Sequence, residues 1–359
     1  MKPSDIVQLR LANQHLTTAD FTTPAEVVSQ LGAVQAQDFP AAKWALGLRM
    51  KSGSEEVVAK AYDEGKILRT HVMRPTWHFL VPEDIEDVLS LTASRVHAVS
   101  KYMYNRENLT PDIFARCEKI LKEVLKGTYL TRTELGEILT KHNIPAIKQT
   151  LAYILIHAEL ERVICSGPRK GKQFTYALFN ERVPQVKKKS QDEALSQLML
   201  KYFTSHGPAQ LIDFSWWSGL SMQSVTEGIS LVGSRLQKEI VEGKEYWFAP
   251  QQLPPIPVRT TAFLLSIYDE YTIAYKDRSA LGGDRYVEKF ITMGNALTAV
   301  IIVDGQIVGT WKREMKKESI VVLLNLLKNI SSTQKEALEE AAKQYGKYHA
   351  LPVCIQLTS

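Results

Sequence analysis

Two short stretches concentrate side chains whose types and spacing can do chemistry. In Val34-Gln35-Ala36-Gln37-Asp38-Phe39-Pro40, two glutamines stand one residue apart, between the end of a helix and the start of a proline-led one. In an extended connection, side chains at i and i+2 point the same way, so Gln35 and Gln37 could both face one small polar target. Each carboxamide offers donors and an acceptor, which suits holding a water or reading an uncharged edge. The plainer alternative is that they cap helix ends or bridge two helices. The second stretch runs from Arg69 to His78 and gathers Arg69, His71, Arg74, Trp77 and His78 on a β-patterned hairpin, with Arg74-Pro75 as its break. This is either a ribbon packed on its own unit, with Trp77 in the core and His78 bonded to backbone, or a cationic surface facing phosphate or a flipped base.

Other constellations are missing. The chain has no G-x-G-x-x-G, no G-x-x-x-x-G-K-[ST], no H-E-x-x-H and no G-x-S-x-G, which argues against dinucleotide, P-loop, zincin and esterase chemistry. His157-Ala158-Glu159 matches half of a zinc-deaminase signature, but no P-C-x-x-C follows it. The pair is expected at the exposed edge of a helix face.

The elements around these residues repeat one theme. Thr23 caps a helix with Pro24 at its first position, further helices are expected over Pro40–Leu48 and Ser54–Asp63, and Ile67–Val81 carries the hairpin. A second unit has helices from Pro82 to about Tyr104 and from Pro111 to Leu125. Thr131-Arg132-Thr133-Glu134 then forms a capping box for one helix, Lys148–Glu161 makes the next, and a hairpin follows with the basic tip Arg169-Lys170-Gly171-Lys172. A third unit has helices at Asp192–Ser205, Gln210–Trp217 and Ser221–Val232, with a hairpin turning over Val241–Lys244. After the proline-rich linker Leu253–Pro257 the texture becomes strands: Phe263–Leu265, Leu297–Val303, an Asp304-Gly305 turn, Ile307–Trp311 and Val353–Leu357, with one helix at Thr333–Tyr345. The expected fold class is α+β, with tandem winged-helix modules (helix-turn-helix plus wing) at 1–82, 83–189 and 190–257. A β-rich, barrel-like C-terminal domain is expected at 258–359.

The 359-residue chain has a net charge of +5, distributed over those segments as +1, +5, −3 and +2. A basic middle suits a polyanionic partner or simply a solvated basic face. Lys187-Lys188-Lys189 reads as a basic linker. Three scattered cysteines give no disulfide framework or paired zinc spacing, Met1–Asp5 lacks the apolar core of a secretory signal, and no stretch nears the roughly 20 apolar residues of a membrane span. A cytoplasmic, nucleoid-associated protein without a structural metal or membrane contact is expected.

The Gln35-Ala36-Gln37 signature and the Arg69–Trp77–His78 hairpin resemble the AlkZ-type bacterial winged-helix DNA glycosylases, which excise alkylated bases and unhook interstrand crosslinks. So do Tyr268-Asp269-Glu270-Tyr271, Tyr275-Lys276-Asp277-Arg278 and Gly309-Thr310-Trp311-Lys312-Arg313, and the resemblance covers nearly the whole chain. It implies a monomer with double-stranded DNA in a concave channel and catalysis by Gln35 and Gln37, with Ala36 as the apolar position between them. A cationic N7-alkyl purine is already a good leaving group, so glutamine dipoles need only orient a water and tolerate an oxocarbenium-like transition state. No cofactor is implied, and a monofunctional glycosylase without strand cleavage is expected.

DNA grip would then come mainly from phosphate contacts, by Arg69 and Arg74 on the first hairpin, Arg169, Lys170 and Lys172 on the second, and Lys276 and Arg278 near the C-terminus, with His71, Trp77 and His78 beside them. Arg278 has an alternative use in an ion pair with Asp277 or Asp269. The competing function is a non-catalytic winged-helix regulator, but Lys148–Glu161 offers only Lys148 and Gln149 for reading bases. A third reading, winged helices used for protein contacts, suits the acidic third unit.

Overall fold

The computed structural model describes residues 1–250, 259–282 and 298–358. Three times along the first 250 residues, a short extended segment leads into a helix pair that closes against a hairpin. The first set is α1 (Pro3–Asn13), α2 (Pro24–Leu31), β1 (Val34–Gln35), α3 (Phe39–Gly47), α4 (Glu55–Asp63), β2 (Leu68–Val72) and β3 (Thr76–Leu80). The second is α5 (Pro82–Arg106), α6 (Pro111–Val124), β4 (Leu130–Thr131), α7 (Arg132–Lys141), α8 (Lys148–Leu160), β5 (Ile164–Ser166) and β6 (Thr175–Leu178), trailed by α9 (Phe179–Arg182). The third is α10 (Gln191–Ser205), α11 (Leu211–Ser218), α12 (Met222–Val232), β7 (Gln237–Val241) and β8 (Lys244–Phe248). In the first two sets the leading segment pairs with the second hairpin strand, giving orders β1-β3-β2 and β4-β6-β5. In the third it shrinks to a bridge between Ala209 and Trp247.

Local chemistry sets these boundaries. Thr23 with Glu26, Thr131 with Glu134 and Ser190 with Glu193 form reciprocal capping boxes, each satisfying donors left free at a helix start. The third hairpin turns more tightly than its sequence suggested. Glu242 and Gly243 take φ of 49° and 77°, a two-residue turn whose twist lets both strands run to its edge.

The last segment supplies β9 (Ala262–Leu264), α13 (Glu270–Ile273), β10 (Val300–Val303), β11 (Gln306–Met315), β12 (Ile320–Leu326), α14 (Ser332–Tyr348) and β13 (Val353–Thr358). They form one five-stranded sheet, β13-β12-β11-β10-β9. A barrel was expected, but among the described residues the sheet is open. β13 returns across α14 to pair parallel with β12, so it ends as an edge strand opposite β9. Strand β12 had not been anticipated, although its Ile320-Val321-Val322 run is β-branched. The linker Leu253–Pro257 and the strand start at Leu297 lie outside the described residues.

Among the described residues, three large hydrophobic clusters organise the chain, with a small fourth around Ile6, Val241 and Tyr246. One lies within the second set, from Tyr104 to Leu178. A second joins the β2–β3 hairpin and the start of α5 to α10–α12 and Tyr275. The third merges α1–α4 with the C-terminal sheet and α14. There Trp44 Nε1 donates to the Leu264 carbonyl at 2.7 Å, and its ring meets Tyr345 edge-on at 4.9 Å. Beside it, fully buried Arg49 grips the Asp269 carboxylate with two bonds of 2.8 and 2.9 Å. No described helix is long and apolar enough to cross a membrane.

Candidate functional site

Gln35 ends β1 directly opposite His78 of β3, so the two side chains share one face of the sheet. It is only 8% exposed. Its N–H donates to Glu270 Oε1 at 2.7 Å, and its own Oε1 accepts from Arg74 Nη2 at 3.1 Å. Buried Ala36 continues the ladder, its N–H donating to the Trp77 carbonyl at 2.7 Å. Gln37 emerges exposed in the following bend, where its Oε1 accepts the Trp77 N–H at 3.4 Å. Asp38 turns away to cap α3, accepting from the Ala41 N–H at 2.9 Å. Both carboxamide oxygens are therefore tied to one hairpin, and helix capping falls to Asp38.

The β alternation splits the Arg69–His78 cluster between two faces. Arg69, His71 and Trp77 share one, and His78 joins Gln35 on the other. Arg69 is buried, its guanidinium 4.0 Å from the Trp77 ring centre and 4.7 Å from that of Phe174. Its Nε donates to the Ala36 carbonyl at 2.9 Å and its Nη2 to that of Gln37 at 3.4 Å. His71, also buried, bonds Glu159 through Nδ1 and tilts against Trp77 at 4.4 Å. His78 is fully buried with Nδ1 3.0 Å from the Thr76 carbonyl. Burial first, then the neighbouring Arg74 charge, pushes its pKa down to about 4. Expected at the DNA surface, Arg69, His71 and His78 are instead buried, Arg69 and His71 bonded to protein partners and His78 bonded through Nδ1 while its Nε2 is buried without a partner. Glu159 departs from expectation likewise, being a buried partner of His71 rather than an exposed helix edge.

Behind Gln35 lies a carboxylate that the sequence had shown only as part of a motif. Glu270 is 1% exposed and also accepts from Trp217 Nε1 at 3.0 Å, with His206 Nε2 at 3.5 Å. Burial alone would raise its pKa. The hydrogen bond and charge of His206, followed by the Gln35 N–H and His78, outweigh that and hold it below the usual carboxylate value.

The basic candidates divide sharply. Arg169 is clamped on Asp63 at 3.0 and 3.2 Å, Lys170 pairs with Glu134 at 2.9 Å, and Lys172 is exposed. Lys276 and Arg278 instead converge with Arg74 on Trp216, at 4.9, 5.9 and 5.3 Å from its ring centre. Arg278 pairs with neither suggested aspartate, since Asp277 is held by Lys244 and Asp269 by Arg49. Trp216 was missed because a helical tryptophan ordinarily reads as core. Ligand atoms that a metal ion would need lie elsewhere: His97, His157 and Glu161 bring one each within 4.8 Å of one another in the second set. His157 stacks on Phe114 at 3.6 Å, and burial, then His97, lowers its pKa to about 4.

The family described as DNA glycosylase AlkZ-like matches residues 28–348. A curated relative from Streptomyces sahachiroi, the "Interstrand DNA cross-link repair glycosylase", is 24% identical over 328 residues, covering 87% of this chain and 88% of its own. The solved structure of Streptomyces sahachiroi DNA glycosylase AlkZ superposes with a TM-score of 0.84 at 21% identity, over 99% of this chain and 100% of that one. Its mixed α/β fold is the fold found here.

Proposed function

This chain belongs to the AlkZ-like DNA glycosylase family, and we propose that it hydrolyses the N-glycosidic bond of cationic N7-alkylated purines in double-stranded DNA. In this reading the three helix-pair-and-hairpin sets are winged helices bounded near 82, 189 and 257. The chain acts as a monomer in the cytoplasm, without a cofactor, and releases the base without cutting the strand.

The observation that carries the proposal is the anchoring of the two glutamine oxygens. Gln35 Oε1 is held by Arg74 and Gln37 Oε1 by the Trp77 N–H, each with acceptor capacity left over. A water oriented by both would attack the anomeric carbon as the glycosidic bond breaks and the base departs neutral, the water's surplus proton passing to solvent. Glu270, ionised and buried behind the Gln35 N–H, adds negative potential where the oxocarbenium charge develops. Neither nearby group can protonate an uncharged base, which would otherwise have to leave as an anion, because His78 is unprotonated at neutral pH and Glu270 is ionised. Selectivity for bases that already carry a positive charge follows. Unhooking of interstrand crosslinks joined through N7 of a purine is the same bond cleavage, and the name of the curated relative favours including it.

The test is base release from duplex DNA containing N7-methylguanine, by the parent and by a Gln35→Ala/Gln37→Ala double variant at one fixed salt concentration. Release by the parent, lost in a variant that still binds DNA, is the expected result. Equal release by both would remove the glutamines from the chemistry.

A further inference from the structure

The four cations around one groove carry the inference furthest. A groove of about 380 Å³ beside the first hairpin is lined by Arg74, Arg95, Trp216 and Lys276, and Arg278 approaches the same indole. Among the described residues, none of these four basic side chains has a carboxylate partner within ion-pair distance, whereas Arg169, Lys170, Lys189, Lys201 and Lys244 all do. The nearby carboxylates are both buried and committed elsewhere, Asp213 to the backbone N–H groups of Gln210, Lys276 and Asp277 and Glu270 to Gln35 and Trp217. Like charges crowded on one ring repel each other, and the face of an indole offsets only part of that. The Nε atoms of Arg74 and Arg278 are buried with no hydrogen-bond partner. Such an arrangement is completed by an anion.

Resting on the glycosylase reading, we propose that this collar seats a single DNA phosphodiester next to the target nucleotide, and that Arg74 couples its occupancy to Gln35. The groove matches a nucleotide rather than a duplex in size. Its remaining wall includes Pro75, Val99 and Ile212, apolar enough for a sugar. Arg74 is shared between the two sites: its Nη2 holds Gln35 Oε1, and its Nε is left over for a phosphate oxygen. A seated phosphate that accepts from Nε fixes the guanidinium, so that Nη2 holds Gln35 Oε1 in place while its second lone pair takes the water. Arg74 is thus a positioning residue, and the collar makes the chemistry depend on a bound backbone.

The experiment replaces the phosphates flanking an N7-methylguanine, one at a time, with neutral methylphosphonates. DNA affinity and single-turnover base release are measured for the parent, Arg95→Gln, Lys276→Gln and Arg74→Lys. Arg95 and Lys276 are exposed, so their variants fold. One linkage is expected to weaken parental binding by roughly five-fold, a penalty absent in Lys276→Gln, whose salt slope is shallower by about 0.9. Arg74→Lys is expected to bind within about three-fold of the parent but to release base more than about ten-fold slower at saturation. If no linkage loses its penalty in either Gln variant, the phosphate seat is overturned. If Arg74→Lys is slowed only through affinity, the coupling is overturned. A parent that releases no base yet shows the linkage-specific penalty in binding would overturn the glycosylase reading and keep the seat.

Discussion

The backbone N–H of Gln35 donates to the Glu270 carboxylate at 2.7 Å, across 235 residues of chain. The first candidate residue of the site is thus held by the C-terminal segment, and the same carboxylate reaches Trp217 in the third set. One side chain fixes three parts of the molecule at the point where chemistry is proposed. Glu270→Gln keeps the shape but turns an amide NH2 toward one of those donors. It is expected to destabilise the protein by about 3 kcal/mol, the usual loss when a buried charged partner is broken. The urea midpoint measures this, and an unchanged midpoint would mean that the bond holds nothing.

Arg69 fixes the Gln loop through the carbonyls of Ala36 and Gln37. Lysine cannot reproduce two such bonds and the stack on Trp77. Arg69→Lys should therefore lower base release at saturating DNA by about 10–100-fold while leaving the dissociation constant within about three-fold. The opposite pattern, weak binding with a normal saturated rate, would return Arg69 to the phosphate backbone.

The pH behaviour follows from two buried imidazoles. His78 and His157 are each pushed down to about 4, against 6.5 for a free histidine. Between those values the unfolded chain binds more protons than the folded one, so stability falls as pH drops through that window. Glu55 and Asp277, each near 2, add their own loss only below the ordinary carboxylate range. Thermal unfolding at pH 6.5 and 5 reads the histidines, and His157→Gln should shrink the difference. Base release by the parent should be flat from pH 6 to 8. An inflection near 6.5 that vanishes in His78→Gln would show that His78 titrates in the reaction.

Gly219 ends α11 with φ of 75°, and a Cβ there would sit 3.0 Å from the Met73 carbonyl oxygen and 3.6 Å from Arg74 Cγ. Gly219→Ala meets both the left-handed backbone penalty and a collision with the hairpin turn. A loss of about 1–2 kcal/mol is expected, together with weaker DNA binding as Arg74 is displaced. A variant as stable as the parent would mean that this contact relaxes freely.

The helices and hairpins were legible because caps, prolines and period are local signals. Thr23, Thr131 and Pro82 all begin the helices expected of them. Strand β1 was not, since two residues carry no period. The division of Arg69, His71 and Trp77 from His78 was latent in the alternation, yet a dense run of polar and aromatic residues reads as one surface. Glu270 and Trp216 were hidden for another reason. Their partners lie tens to hundreds of residues away, and neither residue type announces a role without them. The open edge at β13 likewise depended on a parallel return across α14.

The shared cluster of α1–α4 with the C-terminal sheet has a consequence for synthesis. Trp44 finds its carbonyl partner 220 residues later, and its ring partner Tyr345 later still. At about 5–20 residues per second, the first helices wait on the order of 10–45 s after emerging from the ribosome before their core can close. Through that interval Trp44 and Leu46 are apolar surface on a nascent chain. Chaperone dependence should therefore track the arrival of the last hundred residues, with the second set, cored within itself, folding on the way.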